Sequence, residues 1–247
     1  MTDNFNSLNR QLLAQKQVLH HTRNIEHYQT IAASYADLQG SIAVLSDITC
    51  RRSYLYYGTF AHTLGLKDEG LMVDDIWEKE VMGHIHSDDL EMKFIQELRF
   101  FNFIMRQPKD RRGDYCMMQP IRMCDNNGNW YAVIHKLIYV LLDNGELWAS
   151  FCIYNPMDGC DLQPCFILEM ATGRHLPLSA DDDKKILSKR EIMILKCIGQ
   201  GMSSKEIAEK LFISVNTVNR HRQNIMEKLQ AKSAIDACLI ARRMNLI

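Results

Sequence analysis

The spacing of helix-start signals in the last quarter of the sequence constrains the fold of this chain more than any other feature. Ser188 with Glu191, and Ser203 with Glu206, both have the Ser-x-x-Glu pattern of a capping box. In such a box the two side chains satisfy the free amide groups at the start of a helix. Gly201 lies between the boxes and is expected to end the first helix. Two short consecutive helices are therefore predicted.

Further serines mark two more helix starts, so the C-terminal segment is predicted to be entirely helical. Ser, like Asp, Asn and Thr, is a preferred residue at the position just before a helix. Phe212 and Ile213 form the turn before the third helix. The four predicted helices run from Ser188 to about Gln200, from Ser203 through Leu211, from Val215 to about Leu229 after the cap Ser214, and from Ser233 through about Met244.

The third of these helices has an apolar side and a polar side of unusual composition. At about 100° per residue, one face is predicted to be buried and comprises Val215, Val218, Ile225 and Leu229. The outward arc comprises Asn216, Asn219, Arg220 and Gln223. Solvated helix faces are usually rich in Glu and Lys, and this arc has neither. Asn and Gln can each form two hydrogen bonds to adenine, and Arg can hydrogen-bond guanine. We therefore expect these four side chains to read DNA bases in a groove.

This segment resembles the C-terminal domain of the LuxR family of regulators. The resemblance covers about 60 residues and implies a four-helix domain that binds DNA. The matching stretches are residues 187–191, 201–208, 211–214, 217–221 and 224–229.

By position, the resemblance assigns roles to individual side chains. Asn219, Arg220 and Gln223 would face bases. Family members often carry Lys at the position of Asn219, so the resemblance does not indicate which bases this chain reads. Phosphate contacts, which position a helix without specifying sequence, would come from Lys205, Thr217, His221 and Lys228. The family dimerises through the fourth helix and binds a near-palindromic site. The expected dimer contact here comprises Ile235, Cys238, Leu239 and Ala241.

The charge of the chain is distributed unevenly, in agreement with a nucleic-acid-binding tail. The whole chain has a net charge of −1, but residues 184–247 hold 13 Lys and Arg against 5 Asp and Glu. The rest of the chain holds 16 Lys and Arg against 25 Asp and Glu. Only the basic segment is therefore expected to meet a polyanion.

Antiparallel strands are predicted ahead of the basic segment. The runs 115–124, 130–142 and 146–154 are rich in β-branched and aromatic residues, and Asn-Gly pairs separate them. Shorter strands are predicted at 42–48 and 53–57, a helical turn at 59–64, a long helix at 88–105 with Ser87 or Asp88 as its cap, and a last hairpin at 166–169 and 175–178. Residues 41–156 resemble a PAS sensor domain in this order of elements. The resemblance implies a curved sheet around a pocket or a dimer face.

The predicted fold class is α+β, with a PAS-like antiparallel sheet domain followed by an all-α helix-turn-helix domain. The predicted domains are a helical arm at 1–38, the PAS-like domain at 39–158, a hairpin and linker at 159–185, and the DNA-binding domain at 186–247. The arm either pairs two subunits as a short coiled coil or folds onto its own domain. The three acids at 181–183 mark a solvated linker.

The sequence does not identify a cofactor, and none is predicted. A small-molecule ligand of unknown identity in the PAS-like pocket is one interpretation. Another interpretation is haem ligation through His62, His84, His86 or His135. The opposing consideration is that a histidine in such a domain is more often a hydrogen-bonded core or surface residue than a haem ligand. No metal site is predicted, because the eight cysteines form no Cys-x-x-Cys and no structural zinc spacing with histidine. No catalytic motif is found, so the chain is not expected to be an enzyme.

We therefore interpret the chain as a cytoplasmic, sequence-specific transcription regulator, with a PAS-like domain that senses a signal or mediates dimerisation. The expected partners are double-stranded DNA with a near-palindromic operator, a second copy of the chain at least on DNA, and RNA polymerase as a further candidate. No signal peptide or membrane segment is predicted. The alternative is a protein-interaction adaptor, in which the PAS-like domain binds a partner and DNA binding is vestigial.

Overall fold

A computed structural model describes residues 3–13, 25–67, 72–157, 164–178, 187–229, 231, 233–243 and 246–247. The chain divides into two compact units. One comprises residues 12–177 and is built around an antiparallel sheet, and the other combines residues 1–11 with 178–247 and is helical. The predicted α+β class is confirmed. The boundaries at 158 and 185 and the acidic linker at 181–183 lie outside the described residues, so the four-domain division stays a prediction.

A single eight-stranded antiparallel sheet forms the body of the first unit. Across the sheet the strands follow the order β3-β2-β1-β6-β5-β4-β7-β8. The predicted hairpin turns are present, and Gly128 and Gly145 adopt the positive φ angles, 88° and 76°, that such turns require. The strands are β1 (Ile42–Asp47), β2 (Arg52–Tyr57), β3 (Met72–Val73), β4 (Tyr115–Cys124), β5 (Trp130–Leu141), β6 (Leu147–Pro156), β7 (Phe166–Glu169) and β8 (Arg174–Pro177).

Helices cover parts of this sheet in the order that the resemblance to PAS domains implies. They are α2 (Ile25–Gln39), α3 (Thr59–Leu64), α4 (Lys79–Met82), α5 (Ser87–Arg106) and a 3-10 turn (Lys109–Asp114). Ala32 and Ala36 of α2 are fully buried in a cluster with Trp148 of β6, because their small side chains let the helix approach the sheet closely. Helix α2 thus packs onto its own domain, as one of the two interpretations of the arm proposed.

The long helix α5 begins one residue earlier than the sequence suggested, and its cap is a histidine. The predicted caps were Ser87 and Asp88. The structure instead places His86 at the cap, where its Nδ1 accepts from the backbone N–H of Asp88 at 3.3 Å. A neutral imidazole nitrogen is an acceptor, but His is outside the residue types from which a cap is normally predicted.

The second unit contains the helix α1 (Asp3–Leu13) as far as Gln11, together with the four predicted C-terminal helices. These are α6 (Lys189–Gly199), α7 (Ser204–Leu211), α8 (Val215–Leu229) and α9 (Ala234–Arg243). The end predicted at Met244 lies outside the described residues. Arg10 of α1 pairs with Asp236 of α9 at 3.1 Å, and Leu8 of α1 is 1% exposed. No helix among the described residues is long and apolar enough to span a membrane.

Candidate nucleic-acid interface

Both predicted capping boxes are present, and they fix where α6 and α7 begin. The N–H of Glu191 donates to Ser188 Oγ at 3.3 Å, and the N–H of Ser188 donates to Glu191 Oε2 at 2.7 Å. In the second box the corresponding distances between Ser203 and Glu206 are 3.4 and 2.7 Å. Each box satisfies two amide groups that a helix start otherwise leaves without partners.

A tight turn joins α7 to α8 and sets the angle at which α8 leaves the domain. Phe212 adopts the left-handed conformation, with φ 53°, and its side chain is 94% exposed. The N–H of Ile213 bonds the carbonyl of Ala208 at 3.0 Å, which closes α7. Ser214 then caps α8, since its Oγ accepts from the N–H of Thr217 at 3.0 Å. A short helix, a tight turn and a longer helix together form the predicted helix-turn-helix.

The buried side of α8 agrees with the predicted apolar face at three of its four positions. Val218, Ile225 and Leu229 are at most 2% exposed. Val215 is the exception, with 37% of its surface exposed. Val215 is the first residue of the helix. A helical wheel predicts the direction in which a side chain points, but it does not show where along the helix axis the core ends. The prediction that Val215 is buried was wrong.

All four predicted base-reading side chains lie on the exposed side of α8. They are Asn216, Asn219, Arg220 and Gln223. The spacings of three and four residues between Asn216, Asn219, Arg220 and Gln223 place neighbours about one helical turn apart, so the side chains form one continuous patch. We call this patch the polar arc of α8.

The predicted phosphate-binding side chains surround the polar arc in different local environments. Lys205, at the start of α7, and Thr217 are exposed. The hydroxyl of Thr217 already lies 2.8 Å from that of Ser214. His221 is half-buried, and its Nδ1 has no hydrogen-bond partner among the described residues.

Lys228, the fourth of these residues, has a partner that the sequence did not indicate. Its ammonium lies 2.7 and 2.9 Å from the two carboxylate oxygens of Glu191, whose side chain is only 3% exposed. Burial alone would raise the pKa of Glu191, but hydrogen bonds from Lys228 and Ser188 lower it below its ordinary value. Glu191 is therefore a charged link between the start of α6 and the end of α8.

The expected dimer contact on α9 is only partly accessible. Ile235 and Leu239 are 75% and 42% exposed, but Cys238 and Ala241 are 7% and 0% exposed. The Sγ of Cys238 lies 3.6 Å from the carbonyl of Leu195 on α6. Cys238 and Ala241 thus belong to the core of the domain, and Ile235 and Leu239 are the side chains that remain for a contact with another molecule.

The four histidines considered as haem ligands occupy very different environments. His62 is exposed, His84 Nδ1 bonds the carbonyl of Cys124 at 2.7 Å, and His86 caps α5. His135 on β5 is 0% exposed, and its ring stacks on that of Tyr154 at a centroid distance of 4.8 Å. Burial lowers the pKa of His135 well below its ordinary value, so the ring is neutral.

A buried group of charged side chains beside His135 was missed in the sequence. Lys93 and Glu97 of α5 lie 2.8 Å apart and are at most 3% exposed. The carboxylate of Glu78 lies 3.6 Å from Lys93 and accepts from the hydroxyl of Tyr154 at 2.6 Å. The sequence signal, a Lys and a Glu four residues apart on a helix, is usually an exposed pair. Only the position of α5 over the sheet makes it an interior one.

Comparison with known proteins identifies the C-terminal segment. Residues 185–241 match the family model described as bacterial regulatory proteins, luxR family. The segment thus carries the helix-turn-helix domain that the resemblance implied. It is 56% identical over 55 residues to the oxygen regulatory protein NreC of Staphylococcus carnosus, a match that covers 22% of this chain and 25% of that protein. The S. aureus protein of the same name is 60% identical over 52 residues. The chain therefore spans about a quarter of the length of the curated relatives that it matches.

Similar solved structures extend over both units at low identity. VqmA of Vibrio cholerae, solved with a ligand and DNA, covers 91% of this chain and 90% of its own, with 16% identity and a TM-score of 0.34. A PAS domain from Colwellia psychrerythraea covers 54% of this chain and 98% of its own, with 12% identity and a TM-score of 0.34. The identification of the LuxR-type domain thus rests on the sequence match and on the geometry of α6 to α9.

Proposed function

We propose that this chain is a sequence-specific DNA-binding transcription regulator, in which α8 enters the major groove of DNA. The polar arc of α8 is the observation that carries the proposal. Its Asn, Arg and Gln side chains provide the donors and acceptors that pair with base edges. It is exposed on a capped, well-packed helix that follows a tight turn, the usual arrangement of a recognition helix.

The proposed phosphate contacts flank this arc and differ in how directly each side chain can act. Lys205 is exposed at the N-terminal end of α7, where the helix dipole also favours an anion. Thr217 and His221 lie on α8 beside the base-reading side chains. Lys228 gives two of its three N–H groups to Glu191, which leaves one for a phosphate.

The proposed target is a near-palindromic operator bound by two copies of the chain. Two symmetric recognition helices must lie about 34 Å apart to enter successive major grooves on one side of the duplex. Ile235 and Leu239 on α9 are the exposed apolar side chains proposed to join the two copies. The PAS-like unit is proposed to sense a signal or to add to dimerisation.

DNA selection from a randomised pool, followed by binding measurements at graded salt, tests this function. The proposal requires enrichment of a two-fold symmetric sequence, and an affinity for that sequence well above that for random DNA. An adaptor with vestigial DNA binding would yield no enriched sequence and a single, salt-dependent affinity for all duplexes.

A further inference from the structure

The interior of the sheet unit contains a donor set that is unusual for a protein core. Glu97 of α5, His135 of β5 and Cys152 of β6 each offer one potential ligand atom, and these atoms all lie within 4.8 Å of one another. All three side chains are buried. His135 and Cys152 face the same side of the sheet, because β5 and β6 pair with His135 opposite Tyr154 and Leu137 opposite Cys152.

His135 is the residue whose environment is hardest to explain without a further partner. Neither of its ring nitrogens has a hydrogen-bond partner among the described residues, although the side chain is fully buried. Its Nε2 lies 3.7 Å from Glu97 Oε1, which is too long for a hydrogen bond. Buried polar groups are nearly always satisfied, and an exception indicates a missing partner or a functional role.

We propose that Glu97, His135 and Cys152 bind one divalent transition-metal ion, with zinc as the best fit. Imidazole nitrogen, thiolate sulfur and carboxylate oxygen are the three ligand types of zinc sites. Zinc sites that also bind water or a small molecule have three protein ligands and leave the fourth coordination position open. Hard cations such as Mg²⁺ and Ca²⁺ prefer oxygen ligands and do not fit this donor set.

One of the three separations between ligand atoms already suits this role, and the others, which are no longer than 4.8 Å, need to shorten by at most roughly 1.5 Å. Metal–ligand bonds of about 2.0–2.3 Å place neighbouring ligand atoms of a tetrahedral site roughly 3.3–3.7 Å apart. The Nε2–Oε1 separation of 3.7 Å between His135 and Glu97 already has this value. An adjacent cavity of about 20 Å³, lined in part by Glu97 and Cys152, is large enough for one ion or water and too small for an organic cofactor.

The charges of the surrounding residues favour the metal-bound form. With their ordinary charges, Lys93, Glu78 and Glu97 together give the buried cluster a net charge of −1, which is costly in a protein interior. On binding, a divalent cation replaces the thiol proton of Cys152, which leaves to solvent as the metal–sulfur bond forms. The charges of the ion, the Glu97 carboxylate and the thiolate then sum to zero. Lys93, which lies 2.8 Å from Glu97 Oε1 and 3.6 Å from Glu78, keeps Glu78 as its counterion when the metal takes up the charge of Glu97.

Cobalt(II) titration of the full-length protein tests this site, since Co²⁺ replaces zinc and absorbs in the near ultraviolet when bound to thiolate. We expect one equivalent of Co²⁺ to produce this band and zinc to displace it. Cys152→Ser and His135→Asn should each lower the affinity at least about tenfold and Cys152→Ser should abolish the band. Cys116→Ser is the matched control, because Cys116 is also fully buried in the sheet but is not part of the cluster.

Two results would overturn the proposal. One is a wild-type protein that binds no Co²⁺ or zinc, which would mean that the cluster holds only water. The other is a band that persists in Cys152→Ser, which would mean that other thiols bind the ion. If the variants do not fold, X-ray absorption of the zinc-loaded wild type decides, since the site requires one sulfur ligand with the remainder nitrogen or oxygen. The test is independent of DNA binding.

Discussion

The ammonium of Lys228 lies within 2.9 Å of both carboxylate oxygens of Glu191, which joins the end of α8 to the start of α6. Glu191 also completes the capping box of α6 with Ser188. One buried carboxylate thus holds together α6 and α8, the first and third helices of the LuxR-type domain. The proposed phosphate contact and the stability of the domain therefore share a residue.

Lys228→Met should lower the free energy of unfolding, since it leaves the buried carboxylate of Glu191 without its cation. The expected loss is about 1.5–3 kcal/mol, the range for hydrogen bonds to charged groups. Chemical denaturation followed by circular dichroism measures it. Lys205→Met, which replaces an exposed lysine on α7, is the control and should change stability by less than about 0.5 kcal/mol. Equal effects of the two variants would contradict the structural role of Lys228.

Arg220→Ala or Gln223→Ala should weaken binding to the selected operator by roughly 1–3 kcal/mol each, because each removes contacts to a base edge. Specificity should relax at one base pair per half-site, which a panel of operators with single substitutions would detect. Affinity for random DNA should fall less than affinity for the operator. Normal operator binding by Arg220→Ala would show that the polar arc does not read bases.

Lys205→Ala should weaken binding to every DNA sequence by a similar factor, because a phosphate contact carries no sequence information. The slope of log affinity against log salt concentration should become shallower by about one. Fluorescence anisotropy at several salt concentrations, with operator and random duplexes, provides both quantities. A loss of affinity confined to the operator would instead assign Lys205 to base reading.

Ile235→Glu should prevent two copies from assembling on one operator, because it puts a charge at the proposed apolar contact of α9. Met193→Glu is the matched control, since Met193 on α6 is also an exposed apolar residue, at 46%. Sedimentation with operator DNA should give two copies per site for the wild type and the control. Two copies per site for Ile235→Glu would exclude this face as the dimer contact.

Asp125 in the β4–β5 hairpin should titrate far below an ordinary aspartate. The side-chain amide and backbone N–H of Asn129, with the N–H of Asn127 and the hydroxyl of Tyr131, lie 2.8–3.2 Å from its carboxylate. These hydrogen bonds lower the pKa of Asp125 to about 2, below the unfolded value of about 3.9. Its stabilisation is thus complete above the unfolded pKa and is lost as pH falls toward about 2.

Carboxyl chemical shifts measured by NMR across this pH range would give the midpoint of Asp125 directly. The variant Asp125→Asn should remove the corresponding part of the acid dependence of stability. A midpoint near 3.9 would mean that the hairpin does not hold the carboxylate as described.

Features set by local sequence were predicted well. The strand β4, the helix α3 and both capping boxes occur at the predicted residues, because turn residues and caps act within a few positions of the chain. These features needed no knowledge of the tertiary structure.

Features that depend on packing between distant elements could not be predicted in this way. Glu191 and Lys228 are 37 positions apart in the sequence. The presence of Glu191 is already explained by its capping box and that of Lys228 by a phosphate contact, so nothing in the sequence indicates that the two are paired. Lys93 and Glu97 have the pattern of an exposed pair, and only the position of α5 places them in the interior. Val215 is more exposed than the other apolar residues of α8 because it is the first residue of the helix and lies beyond the end of the core.

The pairing of Arg10 with Asp236 has a consequence for synthesis on the ribosome. The two residues are separated by 226 positions, so α1 is translated before the sheet unit and its partner on α9 is translated after it. The sheet unit, residues 12–177, is complete well before that and can fold as soon as it emerges. Helix α1 therefore cannot pair with α9 until the whole sheet unit lying between them in the sequence has been translated, so the helical unit closes after the sheet unit has had the chance to fold.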